Sequence, residues 1–380
     1  MKFRAPRGTQ DVLPDRARAW QLLESRFRDL CRRYGYDEIR TPVFEETELF
    51  ARGVGEDTEL VSKQMYSFTD RGERQLTLRA EGTAPVVRAY LEHGLGKQAP
   101  LCKLFYIGPI FRYDRPQAGR YRQHTQLGVE ALGAPGPEID AEVIALLMDF
   151  LAELGVAGTR LELNSIGCPK CRPGYREALR QYLAPVRDQL CEFCQRRYED
   201  NPLRILDDKT PRCRELAADA PSVLDHLCPE CREHFAGLQR LLGELGIAFH
   251  VNPRIVRGLD YYARTAFELT YGPAAQNSLA GGGRYDGLAE DLGGDPTPGI
   301  GFGCGLERLH LALEEQGWAP AAAAPAVFVA AAGETVRAAA LRLTQELRRA
   351  GVAAETDFLN RSLKAQMREA GRKGCPGGFP

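Results

Sequence analysis

The sequence predicts an α+β fold in which an antiparallel sheet flanked by helices carries an inserted helical module and is followed by a partial α/β domain. Three patterns predict it: two long strand-like runs around a short polar loop, a cysteine-rich stretch of charged helices, and a final unit that alternates strand and helix patterns. We expect a main domain at 1–166 and 247–318, an inserted module at 167–246, a linker at 319–325 and a final domain at 326–380.

The main domain opens with an amphipathic helix, because apolar residues between Asp15 and Gly35 recur with a period of 3.6. Asp15 can cap the start of this helix and Gly35 its end. Strand patterns at 101–113 and 124–132 flank a polar loop, which indicates an antiparallel pair. The remaining expected elements are a helix over 138–154, strands over 159–164, 266–271 and 299–302, and a helix over 303–315.

The final unit reads as strand, helix, strand and helix over 326–332, 334–350, 352–356 and 362–370. Because parallel strands need a crossover helix between them, this order predicts a small parallel sheet. The last residues, GRKGCPGGFP, have neither period, and we expect them to be loose.

Charge and composition exclude several classes of protein. Fifty Lys plus Arg against 51 Asp plus Glu give a formal net charge of -1, so whole-chain charge predicts no nucleic-acid binding, and any RNA contact must come from local patches. DNA is not an expected partner. No apolar stretch reaches the ~20 residues of a membrane span and no signal segment opens the chain, so we expect a cytoplasmic protein without a membrane partner. Eleven cysteines in that compartment argue against disulfides.

A first candidate ligand site lies at 78–84 (LRAEGTA), where a strand pattern ends and a helix pattern begins. Exposed backbone N–H groups there sit beside Glu81 and Thr83, and such a corner can hold an ammonium group. Taken alone, the residues favour a plainer interpretation, in which Thr83 caps the helix and Glu81 complements its dipole.

A second candidate is the hairpin loop after residue 111, which carries Arg112, Arg115, Arg120 and Arg122. Guanidinium groups bind phosphate oxygens through paired donors, so this loop suits a triphosphate. A solvated hairpin tip is the alternative. Alternation along the following strand weakens that alternative, because it places two polar groups and a glycine gap on one face beneath the loop. These are Gln126, Gly128 and Glu130.

Three further segments have glycine beside polar or aromatic residues: 256–262 (VRGLDYY), 280–287 (AGGGRYDG) and 299–308 (GIGFGCGLER). Glycine permits close approach of a ligand to the backbone, and small residues alternating along a strand leave room for a flat nucleotide. Their plain alternatives are a structural turn, a flexible loop and close packing of a helix on the sheet.

In order along residues 1 to about 318, these segments resemble the motifs of histidyl-tRNA synthetases, which are class II aminoacyl-tRNA synthetases. Pro42 in the segment RTP stands where motif 1 builds the dimer interface. Phe111-Arg112 with its loop resembles motif 2, and 303–308 (GCGLER) resembles motif 3. RGLDYY and GGGRYDG are similar to the two histidine-specific motifs, and the first of these is the most specific match.

The resemblance implies roles for individual residues. Arg112 and Arg308 would grip the α- and γ-phosphates of ATP, and Arg257 would lie at the histidine carboxylate and the α-phosphate, so that Arg112 and Arg257 are the catalytic residues. Mg²⁺ would assist them. Two further ATP-site residues would be Arg115 and Tyr121. The implied histidine site holds the α-ammonium with Glu81, Thr83 and Gln126, the imidazole with Glu130 and Tyr262, and the carboxylate with Arg257.

The resemblance further implies a homodimer that activates L-histidine with ATP and transfers it to tRNA(His). The final unit resembles the start of the family's anticodon-binding domain, and FLNRSLKAQMREA at 358–370 matches well. The family domain continues with further strands and a helix, whereas this chain ends in GCPGGFP. We therefore expect residues 326–380 to be an incomplete, weakly stable anticodon-binding domain.

Spacing of the inserted module's cysteines indicates a zinc site. A C-x-x-C unit lets two thiolates face one Zn²⁺, and three such units are present. Our first choice of ligands is the outer two pairs, with Cys191 and Cys194, alone or joined by Cys213, as substitutes. The resemblance does not require this metal, and free core cysteines are the alternative. Cys31, Cys102 and Cys304 lie in apolar surroundings and are interpreted as packing. The first-choice ligands are Cys168, Cys171, Cys228 and Cys231.

Two other functions compete with the synthetase hypothesis. The regulatory subunit of ATP phosphoribosyltransferase shares the catalytic fold, lacks the anticodon domain and binds histidine as a regulator. That paralogue is expected to lose the RGLDYY arginine and parts of motifs 2 and 3, whereas Arg112, Arg257 and Arg308 are all present here. A plain tRNA-binding module is disfavoured by the neutral net charge and a complete nucleotide site.

Overall fold

The computed structural model describes residues 3–55, 58–117, 119–206, 208, 210–272, 278–320 and 325–375. The chain divides into two compact units, Met1–Ala319 and Pro320–Pro380. Most of the expected linker and the last five residues lie outside the described residues. Among the helices described, none combines the length and apolar character that crossing a membrane requires.

The strands are numbered in chain order. In the described residues they are β1 (Asp37–Glu38), β2 (Phe44–Glu46), β3 (Tyr66–Thr69), β4 (Gln75–Leu78), β5 (Cys102–Phe111), β6 (Gln123–Leu132), β7 (Thr159–Ser165), β8 (His250–Val251), β9 (Ala263–Tyr271), β10 (Ser278–Arg284), β11 (Gly299–Gly305), β12 (Val327–Val329) and β13 (Ala354–Thr356).

The α-helices are numbered likewise. They are α1 (Pro14–Arg33), α2 (Thr47–Val54), α3 (Thr83–Glu92), α4 (Leu95–Gln98), α5 (Pro137–Leu154), α6 (Arg172–Leu183), α7 (Glu192–Asp200), α8 (Pro211–Leu216), α9 (Pro229–Glu244), α10 (Leu288–Asp291), α11 (Leu306–Glu315), α12 (Arg337–Arg349) and α13 (Leu363–Arg372). A π-helical turn spans Leu60–Gln64, and 3₁₀ turns span Ala184–Gln189, Pro202–Ile205, Val223–His226 and Glu334–Val336.

The larger unit is built on an eight-stranded sheet in the order β1-β5-β6-β11-β10-β9-β7-β8. The five central pairings are antiparallel, and only the outer pairs β1·β5 and β7·β8 are parallel. A separate small antiparallel sheet has the order β2-β4-β3, and its strands fall between β1 and β5 in the sequence. The predicted α+β fold with an antiparallel sheet and flanking helices is confirmed.

Alternation along β6 separates the hydrophobic core from a polar face. Leu127 and Val129 are fully buried in a cluster with the apolar sides of α1, α5, α9 and α11. Phe27 of α1 packs edge-on against Phe105 and Phe150 within that cluster. Gln126 and Glu130 alternate with these residues along β6 and point to the opposite face, as the period of two requires. Helices therefore cover one face of the central strands, while the other carries the polar residues.

Sequence patterns misplaced three features. The helix α1 begins at Pro14 with Leu13 as its N-cap, so Asp15 lies in the first turn and does not cap; proline suits that position because its missing N–H would be unpaired there anyway. The segment 280–287 has a flexible loop as its plain sequence interpretation, but residues 278–284 form β10, which is paired on both sides. Residues 303–305 belong to β11, and the next helix begins at Leu306.

A buried carboxylate joins four elements of the larger unit. Asp140 of α5 accepts hydrogen bonds from Arg284 of β10 at 2.7 Å and from Thr265 of β9 at 2.6 Å. His234 of α9 lies 2.8 Å from the same carboxylate. Arg284 and Asp140 are both fully buried, and Arg284 also donates to the backbone oxygens of Ala134 and Gly136. Since a buried ion pair is tolerated only when its polar atoms are satisfied, this network holds the last helix of the inserted module against the sheet.

Between β7 and β8 the described chain is helical, with α6, α7, α8, α9 and 3₁₀ turns. In the smaller unit, β12 and β13 pair in parallel with α12 between them. That pairing is the small parallel sheet expected from the strand and helix order.

Candidate active site

A cavity of about 770 Å³ opens on the polar face of the central strands. Its walls come from β6, β9, β10 and β11, from the loop after β5, from the start of α3 and from the inserted module. Elements far apart in the sequence therefore contribute side chains to one space.

Glycines on β10 and β11 leave room for the polar side chains of neighbouring strands. In the register of β6 and β11, Gly301 pairs with Glu130, Gly303 with Gly128, and Gly305 with Gln126. A Cβ atom at Gly301 would overlap the Glu130 side chain, and one at Gly303 would overlap the Gln126 side chain. A Cβ at Gly281 would lie 2.5 Å from the guanidinium of Arg257. The glycine pattern thus serves to seat three predicted site residues.

At the start of α3, Glu81 is the group that caps the helix. Its carboxylate accepts from the backbone N–H groups of Thr83 and Ala84, both at 2.6 Å. Thr83 does not cap; its hydroxyl donates to Glu130 at 2.8 Å. Burial raises the pKa of Glu81 above its usual value, and the two backbone bonds oppose that rise. The capping interpretation is right in kind, with the roles of the two residues changed, and both still line the cavity.

Glu130 is a buried carboxyl behind the cavity wall, and a hydrogen bond connects it to Thr83, which lines the cavity. It accepts from Thr83 on one oxygen and from the hydroxyl of Tyr285 at 2.5 Å on the other. Desolvation by burial raises its pKa to about 8, and the two hydrogen bonds only partly oppose this. Gln126 is oriented similarly, since its amide donates to the hydroxyl of Tyr106 at 2.9 Å.

Arginines in the cavity differ in whether a carboxylate neutralises them. Arg120 pairs with Asp114 at 2.6 Å, and Arg204 pairs with Asp260 at 3.0 Å. In the described part of the chain, no carboxylate lies within ion-pair distance of four others, so their charge is available to an anionic ligand. These are Arg112, Arg176, Arg257 and Arg308.

Backbone carbonyls hold two of these cations in place. Arg112 donates to the carbonyl of Ala80 at 2.7 Å. Arg308 donates to Gly119 at 3.0 Å and to Ser278 at 2.7 Å, so it joins the loop after β5 to the start of β10. A neutral acceptor orients a guanidinium without cancelling its charge.

Most of the predicted site residues meet in this cavity. Glu130 lies just behind the lining, and Arg115 is exposed and outside it, so an ATP role for Arg115 stays a prediction. Arg122 stacks on Tyr113 with the guanidinium carbon 3.8 Å from the ring centre. The predicted residues that line the cavity are Glu81, Thr83, Arg112, Tyr121, Gln126, Arg257, Tyr262 and Arg308.

Sequence reasoning missed several cavity residues. His124 lies on the same strand face as Gln126, and burial beside Arg112 and Arg308 lowers its pKa to about 3, so its imidazole is neutral at pH 7. Alternation along β6 could have identified it. Side chains of the inserted module had no local signal, because their contact with the cavity depends on tertiary structure. They are Arg176, Arg197, Asp200, Asn201 and Arg204.

Cysteines of the inserted module form two separate clusters. In the first, Cys168 and Cys171 lie 3.5 Å apart, Cys168 and Cys228 3.8 Å, and Cys171 and Cys231 3.7 Å, measured between sulfurs. A tetrahedral Zn²⁺ with Zn–S bonds of about 2.3 Å sets neighbouring sulfurs about 3.8 Å apart. The geometry therefore fits the four first-choice ligands. The second cluster consists of Cys191, Cys194, Asp208 and Cys213.

The family model described as histidyl-tRNA synthetase matches residues 8–309, which is most of the chain. The chain belongs to the histidyl-tRNA synthetase family. A second model, described as an anticodon binding domain, matches residues 326–378 and so extends past Ala370. The family resemblance read from the five motifs is confirmed.

Relatives and solved structures agree with this membership. The chain is 55% identical to a histidine–tRNA ligase of Desulforamulus reducens over 97% of its own length and 88% of the relative's. A histidyl-tRNA synthetase structure from S. aureus superposes with a TM-score of 0.82 at 40% identity, covering 98% of this chain and 90% of that one. A structure from Bacillus halodurans, named as an ATP phosphoribosyltransferase regulatory subunit/histidyl-tRNA synthetase, has a TM-score of 0.71 at 23% identity, covers 97% of each chain, and shows the fold alone.

The pKa of Glu130 predicts how stability depends on pH. Because this pKa is raised from 4.5 to about 8 in the folded protein, the native state holds a proton that the unfolded state has released between these values. The contribution of Glu130 to stability therefore falls as pH rises through that window, and its full cost is present above pH 8. Glu130→Gln should then raise the unfolding free energy at pH 9 by on the order of a few kcal/mol.

Thermal unfolding at pH 5 and pH 9 measures this effect. Both proteins should unfold at similar temperatures at pH 5, where the wild-type carboxyl is neutral, and the variant should be more stable at pH 9. The exposed Glu92→Gln variant is the control and should follow wild type at both values. An equal difference between Glu130→Gln and wild type at the two pH values would contradict the assignment of a raised pKa.

Proposed function

We propose that this chain is a histidine–tRNA ligase, which activates histidine with ATP to histidyl-adenylate and transfers the histidyl group to tRNA(His). The observation that carries the proposal is the convergence of Arg112, Arg257 and Arg308, none neutralised by a described carboxylate, on the cavity that also contains the Glu81 corner. An amino acid with an ammonium and a carboxylate, beside a polyphosphate, complements that distribution of charge.

Histidine would bind with its ammonium group at the helix corner. Glu81 offers a carboxylate, Thr83 a hydroxyl and Gln126 an amide oxygen, because the amide nitrogen of Gln126 is already used on Tyr106. The imidazole would enter between Thr83 and Tyr262 and donate a ring N–H to Glu130, with the hydroxyl of Tyr262 satisfying the other ring nitrogen. A side chain that lacks these groups leaves buried polar atoms unpaired, which costs about 1–3 kcal/mol per group and gives selectivity.

The chemical step needs no protein nucleophile. A carboxylate oxygen of histidine attacks the α-phosphorus of ATP, the bond to the bridging oxygen of the β-phosphate breaks, and pyrophosphate leaves. Arg257, whose Nε is buried and without a hydrogen-bond partner in the described residues, would hold the carboxylate against the α-phosphate. Arg112 would stabilise the charge on the equatorial oxygens, and Arg308 would hold the γ-phosphate.

Carboxylates for a magnesium ion lie in the same wall as Arg308. Glu268 and Glu307 line the cavity, and carboxylate oxygens are ligands that Mg²⁺ accepts. The oxygens of Glu307 already accept the backbone N–H of Thr125, and burial raises its pKa to about 7, so Glu268 is the better candidate. When bound, Mg²⁺ neutralises phosphate charge as pyrophosphate departs.

Transfer to tRNA assigns roles to two other regions. Residues 326–378 would contribute to anticodon recognition, as the family match there suggests. Tyr121, at the cavity side of the loop after β5, would contact the nucleotide, and Arg115, exposed at the loop tip, is better placed for the acceptor end of tRNA than for ATP. A cytoplasmic location stays a prediction.

The first cysteine cluster supports a structural zinc ion. Cys168 and Cys171 precede α6 and Cys228 and Cys231 begin α9, so one ion would close the two ends of the inserted module on each other. Backbone support is present, since the N–H of Cys168 donates to the sulfur of Cys171 at 3.2 Å. Two C-x-x-C pairs at tetrahedral spacing are unusual for cysteines that merely pack.

A homodimer is proposed from the surface beside the RTP segment. Val43 and Phe44 directly follow Pro42, and Phe44 and Phe68 form an edge-to-face pair although both rings are 43–50% exposed. An exposed apolar patch on a small sheet suits burial against a second copy of the chain. Sedimentation should show a dimer for wild type and for the control Leu245→Glu, which changes the exposed apolar residue directly after α9, and a shift toward monomer for Phe44→Glu. A dimer of undiminished affinity in Phe44→Glu would argue against this interface.

The experiment that tests the function is histidine-dependent exchange of pyrophosphate into ATP. Wild type should catalyse exchange with histidine and not with other amino acids. Arg257→Ala should lower exchange by about 100-fold or more, since removing one group that stabilises transition-state charge costs about 3 kcal/mol. Arg160→Ala, which removes an exposed arginine of β7, is the matched control and should retain activity. Folded wild-type protein without exchange would refute the synthetase assignment.

A further inference from the structure

We propose that the inserted module holds a second structural zinc ion, bound by Cys191, Cys194, Asp208 and Cys213. The four ligand atoms lie within 4.8 Å of one another. From spacing alone, these three cysteines are only substitute ligands for a single zinc site. The sequence does not show which C-x-x-C units lie together in the fold, and no motif marks Asp208 as a ligand. In the structure they form a cluster that shares no residue with the first.

Local structure aims the three sulfurs at one point. Cys191 is the N-cap of α7 and Cys194 lies in its first turn, so a short C-x-x-C loop turns both thiols to the same side. Cys213 comes from α8 and is fully buried, as is Cys194. The backbone N–H of Cys191 donates to the sulfur of Cys213 at 3.3 Å, and such bonds stabilise thiolate ligands.

Asp208 supplies an oxygen as the fourth ligand. Its other contacts orient it: the backbone N–H of Thr210 donates to Oδ1 at 2.9 Å, and Arg197 lies 4.0 Å from Oδ2. Zinc accepts thiolate and carboxylate ligands together in tetrahedral sites. Three thiolates select zinc over magnesium or calcium, which prefer oxygen.

A metal ion would stabilise the region around this cluster. Its apolar core in the described residues is small, and a core of that size stabilises a module poorly without a metal or disulfide. A separate core surrounds the first cysteine cluster, so one ion cannot serve both. The buried members of the second core are Leu183, Leu190, Cys194, Ile205 and Cys213.

An ion at this site would also fix part of the cavity wall. The chain between Cys194 and Asp208 carries Asn201 and Arg204, which contact Asp260 of the RGLDYY segment at 3.4 Å and 3.0 Å. Closing this stretch at both ends with one metal restricts its motion, and so holds these side chains against the cavity. This consequence rests on the proposed function, whereas the metal site itself does not.

Metal analysis of the purified full-length protein tests the proposal. Wild type should contain about two zinc ions per chain, Cys213→Ser about one, Cys228→Ser about one, and the double variant none. Cys102→Ser, which changes a cysteine outside both clusters, should keep two. Cys213→Ser with the wild-type zinc content, or a single wild-type ion lost only in Cys228→Ser, would overturn the second site. Pyrophosphate exchange by wild type is scored separately, so failure of the enzyme assignment does not mimic loss of zinc.

A ligand exchange that keeps the site complete guards against misfolding. Asp208→Cys should retain two ions and release the second one to a chelator more slowly, because a thiolate replaces the harder oxygen. With Co²⁺ in place of zinc, the same variant should show a stronger sulfur-to-cobalt absorption than wild type, whereas Asp208→Asn should weaken metal retention. Identical chelator release and cobalt spectra in wild type, Asp208→Cys and Asp208→Asn would exclude Asp208 as a ligand and contradict the proposal.

Discussion

The cavity of the candidate active site depends on glycines, which have no side chain, at a few positions in the centre of the sheet. Gly301 and Gly303 of β11 and Gly281 of β10 occupy positions where a Cβ atom would collide with Glu130, Gln126 or Arg257. In an ordinary sheet these positions would carry apolar residues and the face would be filled. Here the strands keep their backbone pairing and leave space for polar groups of their neighbours. The polar face of the sheet is therefore formed by the strands themselves, and the loops, helices and inserted module complete the cavity around it.

Charged groups around the cavity are held at fixed positions before any ligand arrives. Glu130 is fixed by two hydroxyl donors, and Arg112 and Arg308 are fixed by backbone carbonyls. Burying a carboxyl raises its pKa and costs stability. Burying an arginine without a carboxylate partner leaves the desolvation cost of its charge uncompensated. Under the proposed function, histidine and ATP would supply the missing partners and recover both costs, an arrangement that favours binding and charge stabilisation in the transition state.

How far the sequence predicts the structure depends on the range of the interaction. The β5 and β6 pair, the helix α5 and the parallel sheet of the final unit follow from local periodicity, and all are present. The strand β10 was missed because three glycines give no alternation, although the reason for those glycines lies in Arg257 and the neighbouring strands. Most of the site residues that the family resemblance implies line the cavity. Arg176 and Asp208 carried no local signal, since their significance appears only when the inserted module folds against the larger unit.

In the proposed function Glu130 recognises the imidazole, and calorimetric titration of L-histidine into wild type and Glu130→Gln at pH 9 tests this role most directly. At that pH the wild-type carboxyl is ionised and accepts a ring N–H. We expect the variant to bind histidine about 10- to 100-fold more weakly, which corresponds to roughly 1–3 kcal/mol for a buried hydrogen bond to a charged group. Equal histidine affinity in the two proteins would contradict this account of selectivity.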